Sequence, residues 1–297
     1  MIENKFSWSF SRHKMHSECP RKYYYHYYAF WGGWSPNADP FRKKLYCLRN
    51  MKNLPMWAGE IVHQTIKWIL QAKKNKINIP LDKAHHYAES LIRTGWQQSL
   101  NKDWLNQPKE ALNLFEHYYQ RPVSQEIIDK KLRTKVYPSL ENFYDSGFLE
   151  DLARIPPEDY LIMEKLESFA FNGTTVYIVP DLAIRSDFYY LYDWKTGTPS
   201  DDDILQLSAY ALYAATKWNL AMDQVKIIPV YLSLKPTSFA ACRELETGRI
   251  SEFIQTSIEE MKSRLTCAVS NQACVERFPK TASRHRCQTC FFQEVCN

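Results

Sequence analysis

Three carboxylates and a lysine are spaced so that strand pairing would gather them on one face. Asn172-Gly173 is a two-residue hairpin signal. With that turn, Phe171 faces Thr174, and counting outward sets Glu164 opposite Asp181. A second turn centred on Asp187 sets Asp181 opposite Asp193. Opposed residues share a sheet face, and Lys195 shares it because side chains alternate along a strand. Trp194 then points the other way, towards a core. Pro180 is where a bulge would shift this register by one. Like charges stacked across strands repel, and a divalent cation with a preference for oxygen ligands, Mg2+ or Mn2+, removes that repulsion. Such a cation polarises a phosphodiester and acidifies a bound water, while a neighbouring ammonium stabilises charge developing on phosphate. For any one acid, a solvated charged sheet face is the plain alternative.

A second set of residues could hold a different group. The chain has eight cysteines, and Cys287, Cys290 and Cys296 are spaced C-x2-C-x5-C near its end. A closed site needs a fourth thiolate, from Cys274 close by or from Cys19 at the other end. Four thiolates suit either zinc or a [4Fe–4S] cluster.

The elements that must position these groups change along the chain. Residues 1–31 form a Ser-, aromatic- and base-rich segment, and Trp31–Pro40 reads as a loop. A helix is expected from about Trp57, and the pattern stays mostly helical to about Asp151. Then YLIMEKLESFAF, TTVYIVPDLAI and FYYLYDWKT read as three strands in meander order. DDDILQLSAYALYAATKW is a helix with aspartates at its start, KIIPVYLSLK a strand, and SEFIQTSIEEMKSRLTCAV a last helix. The fold class is therefore α/β with a mostly helical front half.

Composition sets looser bounds. The 297 residues are 45% hydrophobic and 14% aromatic, with a net charge of +5. That suits a well-packed domain and is compatible with an anionic partner without requiring one. Neither a signal-peptide core nor a bilayer-length apolar run is visible, so an intracellular, cytoplasmic protein with mostly reduced cysteines is expected.

The set V-P-D-L, then D-W-K-T-G with Asp193 twelve residues after Asp181, resembles the PD-(D/E)-x-K nuclease motif. Gln206 and Tyr210 form Q-x3-Y on the following helix, and Gly59 and His63 form G-x3-H on the early one. Together they resemble the RecB-type branch of that superfamily. The resemblance implies a restriction-endonuclease-like core, a central mixed sheet flanked by helices. It implies metal ligation by His63, Asp181, Asp193 and the Trp194 backbone carbonyl, with Lys195 catalytic and Gln206 and Tyr210 contacting substrate. Glu164 is expected to assist directly or through water.

The early cysteine in E-C-P-R-K-Y-Y-Y, the late C-x2-C-x5-C and the serines at 7, 9 and 11 are similar to the iron–sulfur nucleases resembling AddB and to related CRISPR-adaptation exonucleases. That similarity implies Cys19 as the fourth ligand and a structural [4Fe–4S] staple joining the chain ends. Cys47, Cys242, Cys267 and Cys274 are then buried or incidental thiols. The helical stretch from Gln64 to about Pro157 departs from the compact CRISPR-adaptation pattern. Trp96, Trp104, Tyr118 and Tyr119 there are either stacking residues or core, and Arg21 to Tyr28 earlier is either a stacking and phosphate-tracking stretch or a helix packed around the cluster.

The expected organisation is 1–56, an N-terminal segment with the first cluster cysteine; 57–158, helical with the metal-binding histidine; 159–270, the nuclease core; and 271–297, the cysteine tail. The expected function is a Mg2+/Mn2+-dependent deoxyribonuclease, an exonuclease on single-stranded ends in CRISPR adaptation, defence or repair. Its partners would be DNA and an integrase complex or a helicase, with no membrane. The alternatives are a non-catalytic DNA-binding or assembly subunit with a structural four-cysteine metal site, and a zinc-bound structural protein carrying the motif by chance.

Overall fold

The computed structural model describes residues 3–235, 237–239 and 247–296. A short strand, β1 (Ser7–Trp8), leads into α1 (Phe10–Glu18), whose N-cap Ser9 accepts the Arg12 N–H. Cys19 ends α1 in extended backbone, and Pro20 starts α2 (Pro20–Tyr24), which runs on as a π-helical turn over Tyr25–Ala29. A packed helix was one of the two readings of Arg21 to Tyr28, whereas α1 has no counterpart in the sequence reading. Next come α3 (Pro40–Arg49) and α4 (Leu54–Lys74), each with proline in its first turn, where an N–H would be unpaired anyway. The helix expected from Trp57 begins earlier because the Asn53 side chain caps the Met56 N–H. The helical region continues through α5 (Leu81–Asn101), α6 (Phe115–Tyr118), α7 (Gln125–Ile128), α8 (Thr134–Asp145) and α9 (Phe148–Leu152).

The strands follow: β2 (Tyr160–Met163), β3 (Glu167–Phe171), β4 (Thr174–Ile178), β5 (Leu182–Arg185) and β6 (Tyr189–Lys195). Then come α10 (Asp201–Trp218), β7 (Val225–Tyr231), β8 (Ser238–Phe239), α11 (Thr247–Ser263) and α12 (Arg284–Gln288). Asn172 and Gly173 take φ of 44° and 73°, as a primed hairpin turn requires, and β3 pairs with β4 from Phe171–Thr174 to Glu167–Ile178. The same register resumes beyond a break, with Met163 opposite Leu182. The second register also holds, from Arg185–Tyr189 to Leu182–Tyr192.

One central mixed sheet was expected, and there are two. The strands are arranged β1-β4-β3 in one and β2-β5-β6-β7-β8 in the other, with β1–β4 and β6–β7 parallel. The two long strands read from the sequence are each interrupted, over 164–166 and 179–181. Pro180 has no N–H to give to a ladder, and Glu164 has a φ of 39°, so neither residue continues a regular strand.

Alternation puts the two faces of the larger sheet into two cores. Leu182, Ile184, Tyr192 and Trp194 pack with α4, α5 and α8, whereas Ala183 and Leu191 pack with α10 and α11. The N-terminal tyrosines are packed too. Tyr23 and Tyr25 are buried, Arg21 Nε donates to Phe278 O at 2.7 Å, and the Tyr25 hydroxyl donates to Val295 O at 3.0 Å. Trp104 is also buried, Trp96 lies edge-on to His117, and Tyr119 donates to Phe291 O.

Candidate active site

The breaks in the two long strands create the site. Asp181 lies just before β5, in the gap left by Val179 and Pro180, and it is only 5% exposed. Its Oδ2 accepts the Trp194 backbone N–H at 2.6 Å, and its Oδ1 lies 3.0 Å from His63 Nδ1. His63 projects from α4, which packs on the Trp194 face of the sheet. Gly59, one turn before it, lets that helix come close: a Cβ there would sit 3.3 Å from Thr196 Oγ1.

Glu164 is brought in by its positive φ, an uncommon conformation for a residue with a side chain. Its backbone N–H donates to Asp181 O at 2.9 Å, continuing the hairpin register through the break. Its carboxylate lies 3.8 Å from His63 Nδ1 and 3.6 Å from Lys67 Nζ. Among the described residues, His63, Glu164 and Asp181 offer ligand atoms within 4.8 Å of one another.

Asp193 stands apart from that trio. It is 4% exposed, and its Oδ2 lies 2.6 Å from the Lys195 ammonium. Asp193 Oδ2 is thus paired with an ammonium, whereas Glu164 Oε1 is a buried atom with no hydrogen-bond partner. Lys195 Nζ donates to Gln206 Oε1 at 2.8 Å, and Gln206 Nε2 donates to the Tyr210 hydroxyl at 2.7 Å. That hydroxyl has Val179 O at 3.0 Å and Asp193 Oδ1 at 3.4 Å as acceptors. Gln206 and Tyr210, one turn apart on α10, thus extend a polar chain from Lys195. Asp203 also reaches Lys195, at 3.3 Å. Sequence reasoning had used Asp203 only as a helix-start residue and had missed Lys67, whose one signal was its place one turn beyond His63.

The electrostatics suit a cation. Burial, the largest influence, and the Asp181 charge raise the Glu164 carboxyl to about 7 against the pull of His63 and Lys67. Burial and Asp181 also push Asp193 upward, against Lys195. Burial disfavours a charged His63, but Asp181, Asp193 and Glu164 outweigh it and raise the imidazole to about 9. For Lys195, burial is likewise overcome by Asp193 and Asp203, which hold its proton on. Two buried acids, Asp181 and Asp193, the half-buried Glu164 with one unpaired oxygen, and one imidazole form a donor set that fits a divalent metal ion.

The thiols occupy a separate cavity of about 290 Å³, lined by Cys19, Cys287, Cys290 and Cys296 from both chain ends. Cys274 does not line it. A single tetrahedral zinc would draw its sulfurs to within about 3.8 Å of one another. The four sulfurs do not form a group as tight as 4.8 Å among the described residues. Cys47, Cys267 and Cys274 are half-exposed rather than buried, and Cys242 lies outside the described residues.

The sequence profile of the PD-(D/E)XK nuclease superfamily matches residues 7–297. The chain belongs to that superfamily. PD-(D/E)XK proteins are metal-dependent nucleases, which makes hydrolysis of DNA phosphodiester bonds the expected chemistry. No curated protein matches the chain. Among solved structures, one titled "Crystal structure of SSO0001" is similar at 15% identity, with a TM-score of 0.31, over 61% of this chain and 78% of that one. No described helix is long and apolar enough to cross a membrane.

Proposed function

We propose that the chain is a Mg2+- or Mn2+-dependent deoxyribonuclease, an exonuclease acting on single-stranded ends. The observation that carries this reading is the convergence of His63, Glu164 and Asp181 beside the chain Asp193–Lys195–Gln206–Tyr210. His63, Asp181 and Asp193 would hold the ion, with Glu164 and the Trp194 carbonyl completing its shell. When bound, the ion supplies a water of lowered pKa and polarises the phosphate.

The remaining work belongs to side chains. Lys195, held charged by Asp193 and Asp203, directs its ammonium at the attacking water or at charge developing on phosphate. Gln206 and Tyr210 fix Lys195 and contact the strand. Trp194 holds Asp181 in place through its backbone N–H.

The four-cysteine cavity supports a [4Fe–4S] cluster that pins the chain ends. Cys19 lines it together with Cys287, Cys290 and Cys296, while Cys274 does not. Service in CRISPR adaptation, defence or repair, beside an integrase or a helicase, rests on the sequence resemblance.

The test is cleavage of end-labelled single-stranded and duplex DNA with Mn2+, comparing wild type with Lys195→Ala. The variant should lose at least about a hundredfold in rate, the scale of removing one electrostatic donor, while still binding Mn2+. An unimpaired variant would remove Lys195 from its role. No cleavage by iron-replete wild type on either DNA would favour the non-catalytic subunit.

A further inference from the structure

Two cavities meet at the metal-ligand candidates. One, of about 530 Å³, is lined by Lys195, Gln206 and Tyr210. The other, of about 630 Å³, lies along α4 and is lined by Lys67, Trp68 and Tyr87. They share His63, Val179 and Asp181 as a common wall. A phosphodiester at that wall necessarily has a nucleoside on each side, and the proposed chemistry accounts for only one of the two spaces.

The second space has its own pattern. Glu60, His63, Gln64, Lys67, Trp68 and Gln71 recur at three- and four-residue spacing, so they form one stripe along α4. Only His63 of that stripe is taken up by the metal site. The Trp68 and Tyr87 rings are stacked, with centroids 4.7 Å apart and planes at 27°. Both are half-buried and line the cavity instead of closing over it. The Glu60 carboxylate is paired with Lys52 at 2.5 Å, so it is not an open anion facing a phosphate. Lys67, on the same stripe, places its ammonium 3.6 Å from the Glu164 carboxylate.

We propose that this cavity is a nucleobase-stacking subsite. A base of single-stranded nucleic acid, next to the phosphate at the metal site, joins the Trp68–Tyr87 stack, and Lys67 contacts the backbone. The inference rests on the nuclease reading and deepens it by naming the group that recognises an unpaired base. A base in a duplex is already stacked and paired, so the subsite selects single strands. Stacking is indifferent to base identity, because every base has a π-face.

The test is equilibrium binding of fluorescein-labelled single strands in the Lys195→Ala background with Mn2+, with one abasic site moved stepwise along the strand. With Trp68 present, one abasic position should raise Kd roughly tenfold or more, the scale of losing one base–aromatic stack. In Trp68→Leu the same position should have no effect, and Trp68→Phe should restore most of it. Tyr87→Leu, checked by thermal melting, should give the same result and guards against a Trp68 variant that misfolds. An undiminished abasic penalty in Trp68→Leu and Tyr87→Leu, or no sensitive position with Trp68 present, would overturn the subsite. Failure of the wild type to cut any DNA would sink the nuclease reading and leave this binding result standing.

Discussion

At the scale of single residues, protons and metal compete for the same atoms. Glu164 is raised to about 7 by burial and Asp181, and His63 to about 9 by its three acids despite burial. A metal must displace both protons, so its affinity rises with pH. Both groups also bind protons more tightly folded than unfolded, so they make the metal-free fold less stable as pH rises. The His63 contribution is whole below 6.5 and is lost as pH passes about 9. Glu164 detracts increasingly from 4.5 up to about 7. Calorimetric titration of Mn2+ between about pH 6 and 8 should show proton release and tightening affinity, and Glu164→Gln should flatten that slope. The sequence brought Glu164, Asp181 and Asp193 to one face. It did not show that Asp193 pairs with Lys195 while Glu164 joins His63, because that depends on one positive φ.

Among elements, the seat of α4 decides where His63 stands, and α5 supports it through a helix crossing. Gly95 lies under the Trp57 ring, where a Cβ would come within 2.7 Å of Cζ2 and 3.3 Å of Leu112 Cδ2. Alanine gains about 1 kcal/mol of helix propensity over glycine, whereas overpacking a buried contact costs about 1–3 kcal/mol. Trp57 is itself buried and has little room to yield, so the clash should win. Gly95→Ala is expected to lower stability by about 1 kcal/mol in a denaturant melt; a gain would show that α4 and α5 are loosely packed. The helices themselves were legible from their periodicity, but which helix faces meet was not.

Over the whole molecule, the two ends of the chain lie together. Arg286 Nη1 donates to Glu18 O at 3.0 Å, Asn271 Nδ2 to Asn4 O at 2.8 Å, and Trp8 Nε1 to Ser257 Oγ at 2.8 Å. These contacts join the ends on their own, so losing a ligand of the proposed cluster should weaken the fold without abolishing it. Cys290→Ala should give colourless, iron-free protein, less stable by roughly 2–5 kcal/mol, the range for removing a cross-link that closes a long loop. Iron and sulfide assays with a melting curve test this. Wild type carrying zinc and no iron would replace the cluster with a structural zinc.

By itself the sequence determined what depends on local spacing. It set the Asn172-Gly173 turn, the two strand registers, the Q-x3-Y turn of α10 and the inward Trp194, because a turn type and a side-chain period of two fix who faces whom. Only the tertiary structure decided that the long hairpin bends into two sheets at Glu164 and Pro180, and that α4 brings His63 to Asp181 from the opposite face. It also decided that Trp68 and Tyr87 stack beside the metal-ligand candidates. Those contacts join residues far apart in the chain, and they depend on how helices and sheets pack, which no local pattern encodes.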